Sequence, residues 1–200
     1  MRTERGLTRL VGFSDGVVAI AITLLVLPLV TSAAEPGTDV ASFLSQNAFQ
    51  LMVFLISFLV IARFWLVHHQ MYENVIGYNA RLLWANLLWL LSIVFPPFPT
   101  ELLGSSNDDD SLRYGLYIGT MVVTSGASAC QQWIIVRSPE LQDPQVRGTL
   151  SLTPYLATTG IMIVALAVAV LSPFIGLWAL FLLFVTSPVL HVVSRMRKAS

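Results

Sequence analysis

Charged residues and cysteine are both scarce in this chain of 200 residues. Only 11% of the residues are charged, and 11 basic side chains balance 11 acidic ones. A soluble domain carries roughly 25% charged residues, so most of this surface is expected to face something other than water. The missing positive excess argues against a nucleic-acid binder that relies on a basic patch. The single cysteine, Cys130, excludes a disulfide framework.

Apolar residues fill the place of the missing charges: they make up 56% of the chain, and the mean hydropathy is +0.75. This excess excludes disorder. Crossing a bilayer takes about 20 predominantly apolar residues. The sequence therefore predicts an all-α, polytopic membrane protein that forms one domain over residues 1–200, without a visible internal repeat. Six apolar runs are long enough, at approximately residues 8–30, 45–68, 82–103, 113–135, 152–172 and 174–193.

The positive charges predict the orientation of these spans. Ten of the Lys and Arg residues fall at the start of the first run, around the second and fourth loops, or after the sixth run, and Arg113 is the exception. Positive charge collects on the cytoplasmic side, so both termini are predicted to be cytoplasmic. The small residues from Thr31 to Ala34 resemble a signal cleavage site, but the preceding apolar run is too long and contains an acid.

The first span is chemically unlike the others because Asp15 lies inside its apolar run, next to Ser14. An ionisable residue within a membrane is costly and indicates function when a partner exists. The alternative is that both residues cap or anchor the helix end. On a helical wheel they project roughly 130° from the centre of one stripe, on either side of it. This stripe contains Ile20, Thr23, Leu24 and Leu27.

Partners for Asp15 are predicted at the same depth, where the second span ends and the third begins. His68, Asn86 and Arg63 are the candidates. The alternative for the histidines is simple placement at the interface beside Trp and Tyr residues. His68 and His69 are adjacent and cannot face one ion together, so no metal site is expected. Neither a nucleophilic set nor a phosphate-binding loop appears, so the chain is not predicted to be an enzyme.

One string within the first span is specific: Arg9-x-x-x-Phe13-Ser14-Asp15-Gly16, running directly into an apolar run. It resembles the signature of the transmembrane protein 175 family of potassium channels. The resemblance covers the six-span length and is strongest over residues 9–27. Three further matches follow in order, at Trp65-x-x-His68, at Asn86 and at Pro97-Phe98-Pro99-Thr100.

The resemblance implies a cation channel that lacks the Thr-Val-Gly-Tyr-Gly filter, assembled as a homotetramer with the first helix around the pore. It places the hydrophobic constriction at Ile20, Leu24 and Leu27, and potassium preference at Thr23. It implies potassium as the permeant ion, no cofactor, lipid as the surrounding medium and a prokaryotic cell membrane as the location. The structural polar network that it implies comprises Arg9, Phe13, Ser14, Asp15, His68 and Asn86.

Two rival functions remain open. A proton-coupled carrier would use Asp15 and His68 as its relay, and a scaffold would use the first helix only for packing. A carrier would usually show inverted repeats and broken helices near the middle of the membrane. Pro28 departs from the family pattern and is predicted to kink or shorten the outer part of the first helix.

Overall fold

The structure is a computed structural model, and it describes residues 4–33, 39–105 and 111–171. These residues are almost entirely helical. A 3₁₀ turn lies at Pro139–Leu141, and Val75 and Gln142 form an isolated β-bridge. The helices are α1 (Glu4–Leu24), α2 (Leu27–Ala33), α3 (Val40–Gln46), α4 (Ala48–Tyr72), α5 (Ala80–Val94), α6 (Pro97–Gly104), α7 (Ser111–Arg137) and α8 (Thr153–Leu171).

Among the described residues, four helical segments are long and apolar enough to cross a membrane: Glu4–Ala33, Ala48–Tyr72, Ala80–Gly104 and Thr153–Leu171. They overlap the first, second, third and fifth predicted spans. The fourth predicted span coincides with α7, which has 27 residues but carries Ser, Thr and Gln side chains along its length and is not among the four. The sixth predicted span, 174–193, lies outside the described residues.

Two of the predicted spans are not single helices. The first is divided into α1 and α2 by a turn at Leu25 and Val26, and the third into α5 and α6 beside Pro96. A proline has no backbone N–H, and its ring clashes with the carbonyl four residues before it. Pro28 therefore interrupts the helix at Leu24, so the break comes earlier in the chain than the proline itself.

The helices form one bundle with α7 near its centre. α7 packs most extensively against α8 and α5, while α1 packs against α4 and α5. The core between them contains Trp89 and Tyr117, which are fully buried. α1 contributes one face only: Val18 and Ala21 are buried, as is Leu25 in the turn that follows, so the opposite face of α1 points out of the bundle.

Candidate functional site

A chain of hydrogen bonds joins α1, α5 and α4 through three buried side chains. The Ser14 hydroxyl donates to the Leu10 carbonyl at 2.9 Å, and Asn86 Nδ2 donates to Ser14 Oγ at 2.9 Å. His68 Nε2 lies 2.8 Å from Asn86 Oδ1. The Leu10 carbonyl can only accept, so the Ser14 hydroxyl gives its proton to Leu10 and accepts from the Asn86 amide nitrogen. Asn86 then presents its oxygen to His68, and an amide oxygen also only accepts, so His68 Nε2 is the donor.

Two aromatic rings, those of Trp89 and Tyr72, contact the ring of His68. Its ring stacks on Trp89, with centroids 3.9 Å apart, and contacts Tyr72 at 4.5 Å. The Tyr72 hydroxyl donates in turn to Gln131 Oε1 on α7, at 2.9 Å. All four side chains are buried. The contacts therefore fix His68 in one position and link α4, α5 and α7.

Asp15 takes a different partner from those that the sequence predicts. Trp65 Nε1 donates to Asp15 Oδ1 at 2.8 Å, and the Trp65 ring stacks on His69. His68 bonds to Asn86 instead, and Asn86 bonds to Ser14. The physical reason is rotation around α1: Ser14 points into the bundle and is buried, whereas Asp15 is half-buried at its edge, within reach of the long indole.

Arg9 and Phe13 belong to the predicted polar network, but the structure does not bring them into this hydrogen-bonded chain. Both lie on the exposed side of α1, and 57% of Phe13 is accessible in the single subunit. Residues 10 and 14, one turn apart on the opposite face, make the contacts. The structure therefore connects Ser14, His68 and Asn86 by hydrogen bonds. Asp15 is next to Ser14 in the chain, but its hydrogen bond is to Trp65.

The four residues predicted to face a pore share the exposed face of α1 and α2. Ile20 is 63% exposed, Leu24 44% and Leu27 56%, and Thr23 is exposed between them. The Thr23 hydroxyl donates to the Ile20 carbonyl at 2.8 Å, which leaves the lone pairs of its oxygen free to accept. One subunit thus presents an apolar stripe with a single oriented hydroxyl.

A second buried polar cluster was not predicted from the sequence. Ser57 on α4 lies 3.0 Å from Thr100 Oγ1 on α6 and 2.9 Å from the Tyr117 hydroxyl on α7. These residues are far apart in the chain and form no sequence motif. Of the three, only Thr100 belonged to a pattern identified from the sequence, the string from Pro97 to Thr100. The cluster fastens α6 to the bundle beyond the break at Pro96.

The described residues contain no group of three or more His, Cys, Asp or Glu side chains that could hold a metal ion. The two faces of α1 instead have different surroundings. Its inner face is fastened to α4 and α5 by polar bonds, while its outer face carries the exposed stripe. Such a helix can line a surface without being free to rotate.

Comparisons with known proteins agree on one family. Residues 9–97 match the family model described as endosomal/lysosomal potassium channel TMEM175. A protein from Streptomyces collinus, named a potassium channel, is 33% identical over 141 residues, which cover 69% of this chain and 68% of that protein. A rat protein named endosomal/lysosomal proton channel TMEM175 is 25% identical over 144 residues, or 70% of this chain and 28% of that protein.

A solved structure has the same fold. It is the crystal structure of a lysosomal potassium-selective channel TMEM175 homolog from Chamaesiphon minutus. Its TM-score is 0.74 at 26% sequence identity, and the match covers 90% of this chain and 94% of that one. The likeness includes the region after residue 97, where the family model ends.

Proposed function

The chain belongs to the TMEM175 family of potassium channels, and from this we propose that it is a potassium-permeable channel with a hydrophobic constriction. The family is one of ion channels, so the chain is an integral membrane protein and not an enzyme. In the proposal, potassium leaks down its gradient through a central pore in a prokaryotic cell membrane. Both termini lie in the cytoplasm, and no cofactor takes part.

The exposed stripe of α1 and α2 is the observation that carries the proposal. Ile20 and Leu27 are more than half exposed, although the other face of the same segment is buried in the bundle. One subunit encloses no path along this stripe. Four copies around a common axis would enclose one, with the stripes facing inward and α4, α5 and α7 outside them.

Rings of apolar side chains give the proposed pore its gate. A narrow apolar ring conducts only when it is wet, and it closes by losing its water. Ile20 would form the narrowest ring, with Leu24 and Leu27 further outward. The Thr23 hydroxyls would replace part of the ion's hydration shell. Because the proposed pore has no stacked carbonyl filter of the Thr-Val-Gly-Tyr-Gly kind, its preference for potassium over sodium would be modest.

The activity is tested with purified protein in a planar bilayer that has potassium on one side and sodium on the other. We expect a steady current that reverses toward the potassium equilibrium potential, without steep voltage dependence. A protein that carries no current, or one whose current reverses at the proton equilibrium potential when a pH gradient is applied, would refute the proposal.

The homotetramer is tested by placing a cysteine at residue 20 in a Cys130→Ser background. Oxidation should join neighbouring subunits through this position, and the intact particle should have the mass of four chains. A cysteine at buried Val18 is the matched control, since it lies on α1 but faces into the bundle. A strictly monomeric particle in detergent and in lipid would contradict the assembly.

Thr23→Val should reduce potassium-to-sodium preference while conduction persists. The substitution keeps the branched shape but deletes the hydroxyl that donates to the Ile20 carbonyl. We expect the permeability ratio to fall by about threefold, the equivalent of one net hydrogen bond of modest strength. The measurement is the bi-ionic reversal potential. Thr158→Val on α8 is the control, because its hydroxyl also donates to a backbone carbonyl, at 3.0 Å.

The rival proton-coupled carrier receives less support. It needs a relay between Asp15 and His68, but Asp15 accepts its hydrogen bond from Trp65, and His68 donates to Asn86. Neither the indole of Trp65 nor the amide of Asn86 passes a proton along as a carboxylate or an imidazole can. The rat relative is named a proton channel, so proton current should be measured beside potassium current in the same bilayer.

A further inference from the structure

The break between α1 and α2 leaves the Leu24 carbonyl without its helical donor. In a continuous helix this carbonyl would accept from the backbone N–H of residue 28. That residue is Pro28, which has none. The neighbouring bond is also displaced, because the Val26 N–H donates to the Thr23 carbonyl, three residues back, at 3.3 Å.

The equivalent break between α5 and α6 lies inside the bundle, against α7. Pro96 deprives the Ser92 carbonyl of its donor, but Ser92 is buried. The nearest hydroxyl, that of Thr124 on α7, lies 3.5 Å away and donates to the Thr120 carbonyl at 2.9 Å. Among the residues that the structure describes, no side chain or backbone donor is hydrogen-bonded to the Leu24 carbonyl. Leu24 is also 44% exposed, on the same face as Ile20 and Leu27.

The depth of this break points to an aqueous neighbour. It falls inside Glu4–Ala33, a segment long and apolar enough to span a bilayer. Irregular backbone at membrane depth is tolerated where it is buried in protein or lines a water-filled cavity. Leu24 lies on the exposed face of the bundle, the face that the proposed function turns toward the pore, so we infer the second situation here. The C-terminal end of α1 adds the negative end of its helix dipole at the same place.

We propose that the Leu24 carbonyls of four subunits form a ring of oxygens that binds a monovalent cation in the pore, directly beyond the Thr23 hydroxyls. The site rests on the proposed function, since it requires α1 to line the pore. Unwound backbone carbonyls at broken helices supply this kind of ligand in other membrane proteins. The proline thereby converts an apolar stretch of the pore into one with a cation site, without any polar side chain.

Pro28→Ala tests the site because alanine supplies the missing N–H to the Leu24 carbonyl. We expect the potassium concentration that gives half-maximal conductance to rise at least about threefold, comparable to losing one net hydrogen-bonding interaction. Alanine is also a better helix former than proline, so the variant should fold. The measurement is conductance against potassium concentration in symmetric solutions.

A backbone variant weakens the carbonyl without restoring the helix at residue 28. Replacing Leu25 by its α-hydroxy acid converts the Leu24–Leu25 amide to an ester, whose carbonyl oxygen is a weaker ligand, and keeps every side chain. It also removes the Leu25 N–H, so the control must lose a backbone N–H too. The ester should shift the curve in the same direction as Pro28→Ala. The same replacement at Ile163, on the exposed face of α8, is the control and should leave the curve unchanged.

The outcomes separate this site from the channel itself. If Ile20 variants change the conductance but Pro28→Ala and the ester both leave the concentration dependence unchanged, the carbonyl site is wrong and the channel stands. If Ile20 variants also leave conductance unchanged, α1 does not line the pore, and both the site and the proposed constriction are overturned. A shift in both variants but not in the control supports the site.

Discussion

Ile20→Asn should raise the potassium conductance of the reconstituted channel by roughly tenfold, the change that lowering a barrier by about 1.4 kcal/mol produces. Ile20 is the most exposed of the three apolar residues of the stripe, and the proposal makes it the narrowest apolar ring. An amide at each of four positions holds water in the constriction, so the ring no longer loses its water at the same width. Ile20→Ala should give a smaller increase through width alone.

Ile163 provides a matched control for this prediction. It is an isoleucine on the apolar helix α8 and is 52% exposed, against 63% for Ile20. In the proposed assembly α8 does not face the pore, so Ile163→Ala should leave conductance unchanged. Equal effects of Ile20→Ala and Ile163→Ala would mean that exposure to the membrane, and not the pore, explains the stripe.

Asn86→Leu should lower the thermal stability of the subunit more than substitutions at the other members of the polar chain. Asn86 bonds to both Ser14 and His68, so its loss disconnects α1 from α5 and α5 from α4. The His68 Nε2–H is then buried without a partner, which costs about 2 kcal/mol. For a chain of this size we expect the melting temperature to fall by roughly 6 °C.

Ser14→Ala should have a smaller effect, because it removes the link to α1 but leaves the bond between Asn86 and His68. Asn74→Leu is the control: its side-chain amide donates to the Gln70 carbonyl, a local bond at the end of α4. Melting is followed by tryptophan fluorescence or by size-exclusion chromatography after heating. If Asn86→Leu and Asn74→Leu melt at the same temperature, the polar chain does not hold the helices together.

The sequence predicts the bundle better than it predicts the breaks within it. Apolar runs located the helices because a bilayer demands length and hydropathy, which are local properties. The helix breaks depend on which carbonyls lose their donors. Pro28 predicted one of these breaks, but the turn lies at Leu25 and Val26, before the proline. The division at Pro96 was not predicted, because the string that begins at the next residue, Pro97, was interpreted only as a match to the family.

Partners across helices were harder to predict than the residues themselves. Ser14, His68 and Asn86 follow from the family string, and the structure joins them. Asp15 was expected to share those partners, but its neighbour on the helix already occupies them. Trp65 was identified as part of the Trp65-x-x-His68 match and not as a partner of Asp15, although its indole N–H is a donor at the right depth. The cluster around Ser57 has no sequence pattern, because tertiary packing alone brings its members together.

Chemical accessibility of residue 20 during current recording is the most direct test that α1 lines the pore. The protein carries Ile20→Cys in a Cys130→Ser background, and a water-soluble, positively charged thiol reagent is added while potassium current flows. Cysteines at buried Val18 and at Ile163 on α8 are the controls. The account predicts that the reagent blocks the current of the Ile20→Cys channel and leaves both controls unaffected. A current that persists after modification of Ile20→Cys, together with block at Ile163→Cys, would contradict it.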